Sequence, residues 1–319
     1  MPPVVTVTFN PAVDLTVVVP GLRIGEVHRA ESAQFNPGGK GVNVAGCLAD
    51  WGVPVTATGV LGADNQAAFQ AFFAAKGIAD RFVRVPGETR TNIKIADPRG
   101  NQTTDVNLPG PNVDRAALAR VNEVLAETVE PGAVVVVAGS LPAGLPEDTL
   151  GSLAAWLRRR GARVVLDSSG APLAAALAMG GDALPCCVKP NRDELEEWAG
   201  RALPGAADVL DAARRLQARG IDLVVVSLGA DGALFVTGER ALQGRLPPVR
   251  ALSTVGAGDA MVAGLAAALR DGASLGETAR LGLAFAAAKL GRIGPHLPDT
   301  RTVRDFAEAA TLSELPSFR

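Results

Sequence analysis

Short runs of β-branched residues alternate with alanine- and leucine-rich stretches along most of the chain. VVTVTF (4–9), VTATGV (55–60), AVVVVA (133–138), RVVLD (163–167) and LVVVSLG (223–229) are nearly unbroken apolar runs, which predicts strands buried on both faces. Between them, NQAAFQAFFAAKG (65–77), DRAALARVNEVLAETV (114–129) and DTLGSLAAWLRRRG (148–161) predict helices, and several such segments stop on glycine. Strand runs separated by helices predict an α/β fold in which helices flank a mainly parallel sheet. Ligands of such sheets bind at the carboxyl ends of the strands. From Gly256 to about Lys289 the pattern is helix after helix.

Two stretches break this rhythm. Residues 12–36 alternate like strands and show no helical period. Residues 88–108 read as a hairpin turning at Asp97-Pro98-Arg99-Gly100. Together they predict a small sheet beside the main one, with an open face to cover a substrate or to pair with another subunit. The chain shows no internal repeat, low-complexity linker or charged tail.

Composition narrows the chemistry. The 319 residues are 48% hydrophobic, and 31 basic residues against 33 acidic ones leave a net charge of −2. That is enough chain for one large domain, and it gives no reason to expect nucleic acid or an anionic membrane as partner. Cys47, Cys186 and Cys187 fit neither a disulfide framework nor metal spacing. His28 and His296 are the only histidines, and there is no GxSxG, so a Ser-His-Asp hydrolase and a His-ligated zinc site are both disfavoured. MPPVVTVTFNP has no basic segment before its apolar stretch, and no apolar run reaches the ~20 residues of a membrane span, so a cytoplasmic protein is expected.

Several glycine-rich turns carry candidate chemistry. In STVGAGDAMVAG, Asp259 opens a long apolar helix behind Gly256, Ala257 and Gly258. The bland reading is an acidic residue facing the helix dipole; the sharper one is a base beside three N–H groups that cradle an anion. NPGGKGVNVAG fails as a P-loop, because Gln34 and Gly41 stand where glycine and Ser/Thr are required. It leaves a glycine turn with Lys40, and Asn43 in the first turn of a helix. In TRTNIKI, period 2 places Arg90, Asn92 and Lys94 on one strand face, a donor row suited to a sugar phosphate or simply solvated. In KPNRDELEEWAG, Asn191 and Glu194 are spaced as a capping pair or as holders of hydrated Mg²⁺. SLGADGAL is a glycine hairpin, and GSLPAG closes the strongest strand. No GxGxxG follows the first strand, which argues against an NAD-dependent oxidoreductase.

In this order, NPAVD, GGKGVNVA, TRTNIKI, GSLPAG, KPNRDEL, SLGADGA and STVGAGDAMVAG, the set resembles the PfkB (ribokinase-like) sugar kinases over nearly the whole chain. TR-N-K and GGKG resemble its phosphosugar branch, which holds the 1-phosphofructokinases, tagatose-6-phosphate kinases and minor 6-phosphofructokinases. The resemblance implies one three-layer ribokinase-like domain over 1–319, with a β lid from about 12–36 and 88–108 that often pairs with a second subunit. It implies ATP-dependent phosphorylation of fructose 1-phosphate at its 6-hydroxyl, with tagatose 6-phosphate or fructose 6-phosphate as alternatives. A rival of another class is a catalytically silent sugar-phosphate sensor.

Asp259 would be the base, and Gly256, Ala257 and Gly258 the anion hole. Asp14, Gly39, Lys40, Asn43, Arg90 and Lys94, with Ser140 nearby, would hold the sugar phosphate. Lys189, Asn191, Ser227, Gly229, Gly232 and Thr254 would line the ATP site, with Glu194 ordering Mg²⁺ through water. Potassium-dependent relatives usually carry Asp-Thr-Thr before GAGD; Ser253-Thr254-Val255 stands here, so monovalent activation is not expected.

Overall fold

The computed structural model describes residues 2–100, 102–247, 249, 255–292 and 294–316. The chain begins with β1 (Val4–Thr8), then β2 (Ala12–Val18) and β3 (Ser32–Gly38), which are joined by turn and loop over 19–31. Next come α1 (Lys40–Asp50), β4 (Val55–Gly62), α2 (Ala67–Lys76), β5 (Ala79–Asp80), β6 (Val83–Val85) and the hairpin β7 (Thr91–Asp97) and β8 (Gln102–Asn107). The middle alternates: α3 (Arg115–Thr128), β9 (Val134–Ala138), α4 (Thr149–Arg159), β10 (Arg163–Asp167), α5 (Gly170–Ala178), β11 (Cys187–Val188), α6 (Arg192–Ala199), α7 (Ala206–Gln217) and β12 (Leu223–Ser227). The last part holds β13 (Ala233–Val236), β14 (Ala241–Arg245), α8 (Ala257–Asp271), α9 (Leu275–Leu290), α10 (Thr300–Ala309) and β15 (Thr311–Glu314).

The large sheet runs β15-β14-β13-β12-β11-β10-β9-β1-β4-β5, with β6 also paired to β4. From β5 to β12 the pairing is parallel; β12 to β15 is an antiparallel edge, of which the sequence pattern suggested the β12–β13 hairpin but not β14 and β15. The edge strands read weakly because β14 (ALQGR) and β15 (TLSE) mix polar residues into short runs that are not buried on both faces.

In the central strands every second side chain enters the opposite core. Val4, Val134 and Val136 pack in a cluster with Leu48, Phe73, Leu265 and Phe285, whereas Val5, Val135 and Val137 pack with Val121, Leu157 and Leu216. That alternation requires helices on both sides, α1, α8 and α9 on one and α3, α4 and α7 on the other. Cys47, Cys186 and Cys187 are free and buried. Among the described residues no helix is long and apolar enough to cross a membrane.

The second sheet is ordered β3-β2-β7-β8. Its register aligns Asn36, Asp14, Asn92 and Asn107 in one row, and Phe35, Leu15, Ile93 and Val106 in the next. Cross-strand partners share a face and successive residues alternate, so one face carries the polar row and the other the apolar row. Phe35 is 64% exposed and Val106 43%. At the hairpin tip, Asp97 Oδ1 accepts from the N–H groups of Arg99 and Gly100, as the turn residues suggest.

Candidate active site

Residues at the carboxyl ends of β10 and β11 meet the first turns of α1 and α8. Helix α8 begins at Gly256, whose φ of 81° is left-handed and favours glycine. Gly256 offers no side chain to cap this helix, and the N–H groups of its first turn have no intrahelical acceptor and lie at the positive end of the dipole. Asp259, in that turn, is 8% exposed and accepts a hydrogen bond at 2.7 Å from Asn43 Nδ2 of α1. Burial pushes its carboxyl pKa above the ordinary 3.8, while Lys40, the Asn43 bond and Lys189 pull the other way.

Gly39 precedes α1 with φ 103°, and a Cβ there would stand 2.8 Å from Pro11 Cα, so the turn bearing Lys40 lies tight against the β1–β2 connection. Lys40 Nζ reaches Asp167 Oδ2 at 2.9 Å, and Lys189 Nζ stands 3.3 Å from Asp167 Oδ1. The Asp167 carboxylate is fully buried. Burial alone would raise its pKa, but the two ammonium groups outweigh this and hold it below 3.8. For Lys40, burial is likewise outweighed by Asp167 and Asp259, which hold its pKa above the usual lysine value.

The small sheet supplies a second group of polar side chains. Asp14 accepts from Asn92 Nδ2 at 3.3 Å and lies 3.8 Å from Lys94 Nζ, so Asn92 and Lys94 do share a face. Burial raises the Asp14 pKa against the pull of Lys94. Arg90 comes just before β7, and its guanidinium donates to the carbonyls of Asn10 at 3.2 Å and Pro11 at 3.3 Å. Asn10 Nδ2 in turn donates to Ser140 Oγ at 3.0 Å, which ties the β1 end to the loop after β9.

Beyond Lys189, Asn191 caps α6. Its Oδ1 accepts from Glu194 N and its own N–H donates to Glu194 Oε2, both at 2.8 Å, so the capping-pair reading of these residues is realised. Burial raises the Glu194 pKa, and Lys189, Asp167 and Lys40 all act on its charge. Ser227 pairs with Asn191 as an isolated parallel bridge, and Gly229 opens the short turn to Gly232 between β12 and β13. Thr254 lies outside the described residues.

Asp259, Asn43, Lys40 and Lys189 are thus brought into one cluster, with Asp167 as an unforeseen hub. Its signal was an acidic residue at the carboxyl end of a buried parallel strand, RVVLD, the place where such sheets bind ligands. Asn10 was also unforeseen.

The profile of the pfkB family carbohydrate kinases matches residues 7–301. A protein of Xanthomonas campestris pv. campestris named 1-phosphofructokinase is 50% identical over 313 residues, 98% of each chain. One of the same name from Rhodobacter capsulatus is 48% identical over 314 residues, again 98% of each. Phosphofructokinase-2 of Escherichia coli, solved with substrates and products, superposes with a TM-score of 0.89 at 33% identity, covering 96% of this chain and 98% of that one. With this fold and these matches, the chain belongs to the pfkB family of carbohydrate kinases.

Proposed function

We propose that the protein transfers the γ-phosphoryl group of ATP to the 6-hydroxyl of D-fructose 1-phosphate, yielding fructose 1,6-bisphosphate and ADP. The observation that carries the reading is Asp259: a buried carboxylate with a raised pKa, held by Asn43 in the first turn of α8. The identity of relatives named 1-phosphofructokinase selects the sugar.

Asp259 takes the proton of the 6-hydroxyl as that oxygen forms its bond to the γ-phosphorus and the bond to the β–γ bridging oxygen breaks. The N–H groups of Gly256, Ala257 and Gly258 receive the charge that builds on the transferring group. Asp14, Gly39 and Asn43 orient the sugar hydroxyls, and Lys40, Arg90 and Lys94, with Ser140, neutralise and bind its 1-phosphate. Lys189, Asn191, Ser227, Gly229, Gly232 and Thr254 hold ATP.

No cluster of three His, Cys, Asp or Glu side chains among the described residues could cage a metal. Glu194, already capping α6 and close to Asp167 and two lysines, suits an ion that keeps its waters and arrives on the phosphates. Mg²⁺ would supply charge neutralisation for the phosphates of ATP. Dependence on ATP also calls for the cytoplasm, where the nucleotide is kept.

The small sheet acts as a lid, its polar row toward the sugar, and its apolar row of Phe35, Leu15, Ile93 and Val106 pairs with the same row of a second copy. The wild type is expected to sediment as a dimer and Phe35→Asp as a monomer; equal masses would remove this interface.

Arg90→Ala is expected to raise KM for the sugar phosphate roughly tenfold to a hundredfold, the loss of one charge-assisted bond, and to leave KM for ATP nearly unchanged. Equal rises for both substrates would take Arg90 out of the sugar site. ADP release measured with fructose 1-phosphate, fructose 6-phosphate, tagatose 6-phosphate and free fructose tests the substrate itself. The highest kcat/KM is expected for fructose 1-phosphate. A preferred 6-phosphate would keep the chemistry and move the sugar assignment, and binding without turnover would make the protein a sensor.

A further inference from the structure

The turn that opens α8 is braced from behind by a side chain that belongs to none of the sequence motifs. Lys289, in the last turn of α9, is 3% exposed. Its ammonium donates to the Val255 carbonyl at 3.1 Å and to the Arg292 carbonyl at 2.9 Å. A Cβ on Gly256 would lie 3.3 Å from Lys289 Cε and 3.8 Å from Nζ, with Asp259 Oδ2 4.0 Å from the same point. The charge therefore sits directly beneath the first residue of the anion hole.

Burying an ammonium whose hydrogen-bond partners are neutral carbonyls is costly. Burial pulls its pKa down, and Asp259 is among the groups that oppose that pull. Carbonyl oxygens that replace the hydration shell of a compact monovalent cation are the coordination chemistry of potassium. Here the cation is covalently attached.

We propose that Lys289 is a positioning residue that serves as a built-in monovalent cation: it fastens the Val255 and Arg292 carbonyls, fixes the turn at Gly256, and adds positive field behind the transferring phosphoryl group. Turnover is then indifferent to added potassium. The inference rests on the kinase reading of the α8 site, and wild-type turnover in the same assay tests that reading separately.

The experiment measures kcat and KM of the full chain with fructose 1-phosphate and Mg-ATP in tetramethylammonium, sodium and potassium salts at matched ionic strength. Wild type is expected to give one kcat in all three. Lys289→Ala is expected to lose about 10–10²-fold in kcat, less than removal of a direct oxyanion donor, with KM for the sugar little changed. Potassium or ammonium ions should restore much of that loss, and should raise the melting temperature of this variant but not of the wild type. Lys289→Met, which fills the space without a charge, should lose kcat and gain nothing from either ion.

Stimulation of the wild type by potassium would overturn the proposal. So would a folded Lys289→Met variant with wild-type kcat in tetramethylammonium, or a Lys289→Ala variant whose loss and melting temperature no cation changes. The melting comparison needs no activity, so it decides the question even if fructose 1-phosphate is not the substrate.

Discussion

Asp259→Asn is expected to fold like the parent chain and to turn over about 10²–10⁴-fold more slowly, the range for a positioned acid–base group. The amide matches the carboxylate in size but cannot accept a proton from the 6-hydroxyl. Folding should not suffer, and the sign can be derived. The pKa of Asp259 is higher in the folded chain than the ordinary 3.8, so its contribution is favourable below that value and lost as pH rises through the folded pKa. At neutral pH the ionised group opposes folding, and a neutral amide should leave the melting temperature equal or higher. In the wild type the same shift places the acid limb of kcat/KM above pH 3.8, and the limb assigned to Asp259 should vanish from the residual rate of Asp259→Asn. Turnover close to that of the wild type would remove Asp259 from the base role.

Asp167→Asn is expected to be destabilised by about 3–5 kcal/mol at neutral pH, the cost of leaving a buried partner charge unpaired. The carboxylate is fully buried and the Lys189 side chain facing it is 5% exposed, so water cannot replace the lost charge. The folded pKa here lies below 3.8, so this stabilisation is present above that pH and is lost as pH falls through the folded value. The gap between wild type and Asp167→Asn in urea midpoint should therefore be wide at neutral pH and close in strong acid. Pyrophosphate should recover part of the loss by neutralising Lys40, whose side chain is 35% exposed. Equal midpoints at neutral pH would show that the two lysines do not depend on Asp167.

Asp259 and Asp167 also mark where the sequence was legible. Asp259 stood out because a carboxylate among apolar helix residues behind Gly-Ala-Gly contradicts its surroundings. Asp167 ends an ordinary strand, and its meaning comes from Lys40, 127 residues away. The central valine runs were readable because burial on both faces erases the period-2 pattern, whereas β14 and β15 at the edge carried no such mark. Asn191 and Glu194 kept two readings in sequence; the hydrogen bonds of the capping box realise one, and the ion-ordering role belongs to the proposed reaction. The Asn36–Asp14–Asn92–Asn107 row depended on register, which joins segments some 80 residues apart and is fixed only when the strands pair. Lys289 looked like the basic end of one more helix until α8 and α9 packed together.

Phosphoryl transfer to the 6-hydroxyl is read most directly in the ³¹P spectrum of fructose 1-phosphate incubated with Mg-ATP and the wild-type protein. ATP is expected to give way to ADP in step with a sugar carrying phosphates at carbons 1 and 6. Unchanged fructose 1-phosphate, with ATP intact or hydrolysed to ADP and inorganic phosphate, would rule that reaction out.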